Sequence, residues 1–300
     1  MSKTFILGVG AQKGGTTWLH RQLNNNSNID LGFRKEYHVF DAIEDYEPIT
    51  TNNNLKNGFR ERRIKKILDS HKQDKLGRNL GMEKKKGKDR YMSLELAFID
   101  NVNNYFDYFD YLYLKNDQID AVGDITPNYA LLKTKTFNLI RKGLEKRGFD
   151  VKVFFLMRDP VERVWSLARM KDRKMSKDKK DRFNEFRFME RAVDSYFMSY
   201  KSQYEKTISH LERAFDPAKI FYGFYENLFD IDNYQRIKNF LNIPLTPFDS
   251  SQIFNASPKS DSIPSELNNN LVKYFKPTYE FIADRHGDAV KKLWQGYQYL

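Results

Sequence analysis

The chain has 300 residues, enough for one large domain with a sizeable core, and it contains no cysteine, which excludes disulfides, thiolate metal sites and cysteine nucleophiles. Its 51 Lys and Arg exceed its 40 Asp and Glu, and the resulting net charge of +11 favours association with anionic ligands. Because no apolar stretch of about 18 residues occurs and the N-terminus lacks a secretory pattern, we expect no membrane span and a cytoplasmic protein.

The first predicted strand covers residues 4–9 and leads through a glycine-rich loop into a predicted helix at 16–24. Glycines let the backbone N–H groups of a loop approach an anion, and the N-terminus of the following helix adds unpaired donors. Thr16 and Thr17 add hydroxyls at that terminus, and Lys13 adds a positive charge. The segment GAQKGGTTW therefore predicts a phosphate-binding loop.

This loop differs from the P-loop of nucleotide triphosphatases, whose pattern is G-x-x-x-x-G-K-[ST]. Gly10 and Gly15 have the required separation, but Thr16 stands where the lysine belongs, and Lys13 lies inside the loop instead. Without that lysine, and with no clear acidic metal ligand, magnesium triphosphate is a poor fit. The loop indicates a different phosphate compound.

The middle of the chain contains two contrasting segments. Residues 42–92 are polar, rich in lysine and punctuated by glycine, which predicts a surface insertion with one helix near 59–70. The segment NVNNYFDYFDYLYL at 101–114 alternates aromatic with acidic or amide residues. We interpret it as a helix whose rings pack mostly on the core, with some left to line a substrate cleft.

Two further buried strands are predicted at 151–157 and 220–224, and helical patterns lie between them. This alternation indicates a single α/β domain over residues 1–300, with a central parallel sheet flanked by helices and a P-loop-like nucleotide-binding core. A last helical segment follows at about 265–283. Sheets of this kind bind ligands beyond the carboxyl ends of their strands, where the glycine-rich loop also lies.

A second candidate anion site follows the strand at 151–157, in the segment FFLMRDPVERVWSL. Arg158 ends the strand, Asp159 can cap the next helix, Pro160 suits its first position, and Glu162 completes a capping-box pattern. Ser166 lies two turns into that helix. Arg158 and Ser166 could grip a second phosphate, with the arginine acting in bidentate fashion.

The segments GAQKGGTTWL and RDPVERVWS resemble the motifs of sulfotransferases that use 3′-phosphoadenosine 5′-phosphosulfate (PAPS). RKEYHVFD at 34–41 and GDITPNYA at 123–130 are similar to segments of the heparan-sulfate and related bacterial glycan branch. Weaker similarity occurs at 225–230, 238–244 and 254–260. The resemblance thus extends over nearly the whole chain. It implies that the first loop holds the 5′-phosphosulfate and that the arginine–serine pair holds the 3′-phosphate.

The resemblance implies transfer of a sulfuryl group from PAPS to a hydroxyl or amine of an acceptor, with a saccharide as the first choice and adenosine 3′,5′-bisphosphate (PAP) as the product. Lys13 would neutralise the departing phosphate oxygen, and Glu36 would accept the proton of the acceptor. His38 either orients the acceptor or is the base itself. The implied nucleotide-binding residues are Lys13, Gly14, Gly15, Thr16, Thr17, Trp18, Arg158, Ser166, Tyr225 and Lys259.

One position departs from the pattern of that branch, and the histidines bear on metal binding. The heparan-sulfate branch often has a lysine before its [ST]-P pair, near the sulfate, but this chain has Ile125 there, so Lys35 or Lys259 would have to compensate. The other histidines show no spacing typical of metal ligands, and we therefore expect no catalytic metal.

Two alternative functions stay open at this point. A P-loop kinase acting on a small molecule would need a magnesium ligand, for which Asp159 is the candidate. A non-enzymatic binder of nucleic acid or another polyanion is suggested by the net charge and by lysine-rich runs at 60–66 and 84–90. Those runs lack the interleaved aromatic residues of single-strand binders, so we expect no nucleic-acid partner.

Overall fold

The structure is a computed structural model that describes residues 3–44, 60–61, 64–65, 67–69, 88–175, 183–248 and 262–300. The strands are β1 Lys3–Gly10, β2 Ile29–Asp30, β3 Ala121–Ile125, β4 Phe149–Met157 and β5 Ile220–Phe224. The α-helices of the described ranges are α1 Thr16–Asn24, α2 Phe40–Ile43, α3 Lys88–Asp100, α4 Val102–Leu114, α5 Thr134–Glu145, α6 Pro160–Lys174, α7 Glu185–Ala192, α8 Tyr196–Tyr200, α9 Tyr204–Glu212, α10 Ile231–Leu241, α11 Ser265–Tyr274, α12 Lys276–His286 and α13 Asp288–Leu293.

The strands form one parallel sheet in the order β2-β3-β1-β4-β5, which confirms the predicted fold class. The predicted strands at 4–9, 151–157 and 220–224 correspond to β1, β4 and β5. Sequence analysis did not identify β3 as a strand, although it pairs with β1 near the centre of the sheet. Its five residues include Gly123 and Asp124, which are both unfavourable in strands, and only tertiary partners make their burial possible.

The core covers both faces of the sheet, because alternate residues of β1 point to opposite sides. Phe5 packs edge to face on Phe109 of α4, and Ile6 joins the cluster on the other face. Tyr105, Phe106 and Phe109 are buried in the core. These three rings are therefore not available to line a substrate cleft.

Most of the predicted insertion at 42–92, including most of the lysine-rich runs, lies outside the described residues. Ala42, Ile67 and Met92 are described, and they form a small buried cluster with Ile99 of α3. These parts of the segment therefore pack against the domain. Within the described ranges, every helix is too short or too polar to cross a membrane.

Candidate active site

A pocket of about 360 Å³ lies beyond the carboxyl ends of β1 and β4, where α1 and α6 begin. Both of the predicted anion sites line it. One wall comes from the glycine-rich loop and the start of α1, and the other comes from Arg158 and one face of α6. The lining residues are Gln12, Lys13, Gly15, Thr16, Thr17, Trp18, Lys35, Glu36, Pro127, Arg158, Ser166, Arg169, Met170, Lys174, Tyr225 and Phe229.

The backbone geometry of the glycine-rich loop suits an anion. Gly15 has φ +96°, and a Cβ there would lie 2.4 Å from Leu228 Cδ2, so both conformation and space require glycine. Gly15 is also the N-cap of α1 and provides no side-chain cap. The first N–H groups of a helix have no intrahelical partners, so those at the start of α1 are free to bind an anion in the pocket.

Gly14 precedes Gly15 in this loop, and its role in nucleotide binding stays a prediction. It does not line the pocket; its N–H donates to Ala11 O at 2.9 Å. A Cβ at Gly14 would lie 2.4 Å from Leu156 O of β4. The glycine therefore lets the loop pack closely on the strand, and it holds the neighbouring residues in place.

Lys13 is the central cation of the pocket. Its φ of +74° is uncommon for a residue with a side chain. Burial lowers the pKa of its ammonium to about 8, and the positive charges of Arg173, Arg158 and Arg169 contribute to the shift. In the described part of the chain its ammonium makes no hydrogen bond or ion pair, so an anion in the pocket would relieve this repulsion.

The start of α6 is held by carboxylates, but not all of them act as the sequence predicted. Asp159 caps the helix, accepting from the N–H groups of Val161 at 2.9 Å and Glu162 at 3.2 Å. The predicted capping box is not completed by Glu162. Its carboxylate accepts from Arg158 at 3.0 Å, while the Asp159 N–H donates to Glu226 at 2.9 Å. Fixing the arginine takes precedence here over the reciprocal cap.

Two arginines face the pocket on this wall. The Arg158 guanidinium lies 4.3 Å above the Tyr225 ring and pairs with Glu162, but its Nε has no partner among the described residues. Arg169 is 6% exposed, stacks at 4.2 Å on Trp165, and has neither Nε nor one terminal nitrogen bonded within the same residues. A buried guanidinium with unused donors is costly unless a ligand supplies acceptors.

Sequence analysis missed Arg169, although the helical spacing could have identified it. Glu162, Ser166 and Arg169 follow one another at intervals of four and three residues, which places them on one face of α6. Ser166 also lines the pocket, and along the chain it lies between Arg158 and Arg169. The second group of candidate anion-binding residues therefore consists of Arg158, Ser166 and Arg169.

Aromatic residues form the pocket wall between the two groups of candidate anion-binding residues. Trp18 is 3% exposed and packs edge to face on Phe229 at 5.2 Å and on Phe248 at 5.3 Å. It is both a core residue and a pocket wall. Its Nε1 has no hydrogen-bond partner in the described ranges. Phe229 also contacts Tyr225, so the wall is continuous up to Arg158.

At the opposite end, Glu36 lines the pocket and His38 lies behind it. His38 Nε2 is 3.4 Å from Glu36, and His38 Nδ1 is 2.7 Å from Asp41, which also accepts from Asn128 at 2.6 Å. Burial would raise the pKa of Glu36, but the contacts with His38 and the Lys35 ammonium lower it to about 2. Carboxylate, imidazole and carboxylate thus form one chain.

A buried network holds this chain in place. Asp124 accepts from Thr126 at 2.7 Å, from Tyr105 at 3.0 Å and from Tyr129 at 2.9 Å. Thr126 Oγ1 in turn accepts from the Tyr37 N–H at 2.9 Å, and the Tyr129 hydroxyl accepts from the N–H of Val39 at 3.2 Å. These bonds fix the backbone on both sides of His38. Burial raises the pKa of Asp124 to about 6.

The structure brings together nine of the predicted site residues, and two others, Gly14 and His38, do not line the pocket. Gly14 is the loop residue that packs against β4, His38 lies behind Glu36, and Lys259 lies outside the described residues. Ile125 is fully buried and cannot serve the pocket. The predicted residues that line the pocket are Lys13, Gly15, Thr16, Thr17, Trp18, Glu36, Arg158, Ser166 and Tyr225.

Comparison with known proteins adds independent evidence. The family model of the sulfotransferase domain matches residues 3–269. Among solved structures, the chain is similar to a sulfotransferase from Alicyclobacillus acidocaldarius, with 17% identity, a TM-score of 0.53, and coverage of 95% of this chain and 96% of that one. This likeness supports the α/β fold.

Two other solved structures are similar at lower scores. The sulfotransferase domain from the Synechococcus PCC 7002 olefin synthase has 14% identity and a TM-score of 0.47, and covers 93% of this chain and 94% of that one. The sulfotransferase domain from the curacin biosynthetic pathway has 18% identity and a TM-score of 0.43, with coverage of 86% and 80%. No curated protein matches the chain significantly.

Proposed function

Because this chain belongs to the sulfotransferase family and is therefore an enzyme of sulfuryl transfer, we propose that its donor is PAPS and that its acceptor is a hydroxyl or amine. One observation carries the proposal. Both groups of candidate anion-binding residues line the same pocket, and their cations retain positive charge and hydrogen-bond donors that no described residue uses. A nucleotide with anionic groups at both its 3′ and 5′ positions matches this arrangement.

The described residues fit the parts of this donor. The start of α1 and Lys13 would hold the 5′-phosphosulfate, because they combine free N–H groups with a positive charge. Arg158, Ser166 and Arg169 would hold the 3′-phosphate, to which guanidinium groups donate in bidentate fashion. Trp18 and Tyr225, together with Phe229, would form the walls around the adenosine.

The transfer requires charge neutralisation at one atom and proton removal at another. PAPS supplies an activated sulfuryl group whose sulfur–oxygen bond to the phosphate breaks as the acceptor forms its new bond to sulfur. Lys13 is placed to neutralise the phosphate oxygen that keeps the electron pair, which is preorganised electrostatic stabilisation. Glu36 receives the proton of the acceptor and, because its pKa is low, passes it on to His38, which Asp41 holds in position.

The class of acceptor is the less constrained part of the proposal. A saccharide is supported by the resemblance of segment 34–41 to the glycan branch, while the buried rings of α4 contribute nothing to it. The contact between Glu36 and the Lys35 ammonium adds polarity at this end of the pocket. A polar, hydroxylated acceptor suits such a lining better than an apolar one.

The kinase alternative is weakened by the environment of Asp159, the carboxylate that it would use for magnesium. Asp159 Oδ1 accepts from the Tyr279 hydroxyl at 2.8 Å, and Oδ2 accepts from the Gly296 N–H at 2.8 Å, in addition to its capping bonds. Both oxygens are thus used to join α6 to the C-terminal segment. Asp159 also does not line the pocket.

The proposal is tested by a screen of hydroxylated and amine acceptors with [³⁵S]PAPS, using Lys13→Ala and Glu36→Gln as controls. We expect transfer to at least one acceptor and loss of transfer in both variants, of the order of 10²–10³ for Lys13→Ala. Titration with PAP and, separately, with ATP and magnesium provides a second measurement. Tight binding of ATP without binding of PAP would overturn the donor assignment.

A further inference from the structure

Lys201 is a half-buried cation beside the pocket to which the proposed function assigns no role. It follows α8, and its Nζ donates to Gln12 Oε1 at 3.4 Å. Within the described ranges this is the hydrogen bond that the Lys201 ammonium makes, and no carboxylate there forms an ion pair with it. A lysine that is withdrawn from solvent without a counter-ion is unusual, because desolvation disfavours the charged form.

The bond to Lys201 determines how the Gln12 side chain is oriented. An ammonium group can only donate hydrogen bonds, so the amide must present its oxygen to Lys201. The Gln12 Nε2 group, with its two hydrogens, then faces the other way. Gln12 lines the pocket and directly precedes Lys13. The amide is therefore a donor placed beside the cation that serves the departing phosphate oxygen.

Lys201 and Lys13 lie in different electrostatic surroundings, although each has a pKa of about 8. Burial and the positive charges of Arg173, Arg158 and Arg169 lower the pKa of Lys13. Burial and Arg163 lower that of Lys201, while the negative charges of Asp41 and Glu36 act in the opposite direction. Gln12, to which Lys201 donates, lines the same pocket as both Lys13 and Glu36.

We propose that Gln12 binds the sulfuryl group itself: Gln12 Nε2 donates to a sulfuryl oxygen, and Lys201 holds the amide in the orientation that this bond requires. This inference rests on PAPS being the donor. Gln12 is then a binding residue, and Lys201 is a positioning residue that acts through it. The pair recognises the group that distinguishes the donor PAPS from the product PAP.

The two nucleotides provide a direct test that needs no acceptor. Dissociation constants for PAPS and PAP would be measured by titration calorimetry for the wild type, Gln12→Ala, Lys201→Met and the double variant. We expect the Kd for PAPS to rise about tenfold in each single variant, as for loss of one charge-assisted hydrogen bond. The Kd for PAP should stay within about twofold, which also shows that the variants fold.

A matched control and a double-mutant cycle sharpen the test. Lys206→Met removes an exposed lysine from the adjacent helix α9 and should leave both constants unchanged. Because Lys201 acts through Gln12, the double variant should be no weaker for PAPS than Gln12→Ala alone. Lys201→Arg, which keeps the charge and a donor, should restore part of the PAPS affinity.

The outcomes separate this inference from the proposed function. Equal losses for PAPS and PAP, additive effects in the double variant, or unchanged PAPS affinity in Lys201→Met would overturn the inference and leave the donor assignment intact. A wild-type protein that binds neither nucleotide would overturn the donor assignment, and the inference with it.

Discussion

The two ends of the pocket are built on opposite electrostatic principles. The phosphate end, formed by Lys13, Arg158, Ser166 and Arg169, contains cations that repel one another and nitrogens that no described residue satisfies. The acceptor end, centred on Glu36, contains charged groups that are joined to one another: Glu36 to Lys35 and His38, and His38 to Asp41. At the phosphate end Glu162 pairs with Arg158, but Lys13 and Arg169 have no ion pair among the described residues, whereas the acceptor end is internally compensated.

This difference shows how one pocket can both attract its donor and keep its chemistry in position. Unneutralised cations raise the affinity for a polyanionic nucleotide, because the ligand relieves their repulsion. Groups that already satisfy one another need not reorganise when the reaction occurs, and this preorganisation is a main source of catalysis. We therefore expect mutations at the phosphate end to change binding, and mutations at the acceptor end to change rate.

The largest expected effect breaks the acceptor end at its only pocket-lining carboxylate among the described residues. Glu36→Gln removes the proposed proton acceptor and should lower kcat by roughly 10²–10⁴, with little change in the Kd for PAP. His38→Gln should have a smaller effect, since His38 acts through Glu36. Steady-state rates with the acceptor found in the screen provide the measurement. A greater loss in His38→Gln would instead identify the histidine as the base.

The next effect breaks the phosphate end. Arg169→Met retains the apolar part of the side chain but removes its unused donors, and should weaken PAP by about ten- to a hundredfold, as expected for a lost charged hydrogen bond. Binding of AMP, which lacks the 3′-phosphate, should change little. Arg187→Met is the matched control, because Arg187 is an exposed arginine of α7 that does not line the pocket. Equal weakening of PAP and AMP would contradict a role at the 3′-phosphate.

A third prediction concerns the support of the acceptor end. Asp124→Ala would leave the hydroxyls of Thr126, Tyr105 and Tyr129 without their acceptor and should reduce the free energy of unfolding by about 1–3 kcal/mol. Urea denaturation measures this loss, with Asp124→Asn as the milder variant. Since the backbone beside His38 depends on the same network, the rate should fall more than PAP affinity. Wild-type stability in Asp124→Ala would show that the network contributes nothing.

The smallest effect sharpens the comparison through proton linkage. The pKa of Lys13 is about 8 in the free protein, against an ordinary value of 10.5. An anion in the pocket raises this pKa, so binding of PAP takes up protons near about pH 8.5, and affinity falls as the pH rises above about 8. Calorimetry in two buffers with different ionisation enthalpies measures the uptake. In Lys13→Met it should disappear; persistence there would assign it to another group.

The phosphate end was largely predictable because each of its parts is contiguous in sequence. A strand, a glycine-rich turn and a helix N-terminus place Lys13, Thr16 and Thr17 by local geometry alone, and the same holds for Arg158 and Ser166. Arg169 was accessible through helical spacing. What could not be read from the pattern was the choice that Glu162 makes between the helix cap and Arg158, because it depends on Glu226 binding the Asp159 N–H.

The acceptor end was only partly predictable because its parts come from distant segments. Glu36 and His38 were identified through the resemblance of segment 34–41 to the family. The link from His38 to Asp41 and Asn128 could not be derived, and neither could the Asp124 network. The contact between Lys201 and Gln12 joins residues 189 positions apart, and no local pattern marks it.

The sequence by itself determined the sheet-and-helix architecture and the two candidate anion-binding motifs, since these depend on periodicity and on turns a few residues long, and the resemblance of those motifs indicated the family. Tertiary structure alone decided that both motifs face one pocket, which cations stay unneutralised and which carboxylates are already engaged. The physical reason is that charge compensation acts through space, between groups whose separation along the chain carries no information about their distance.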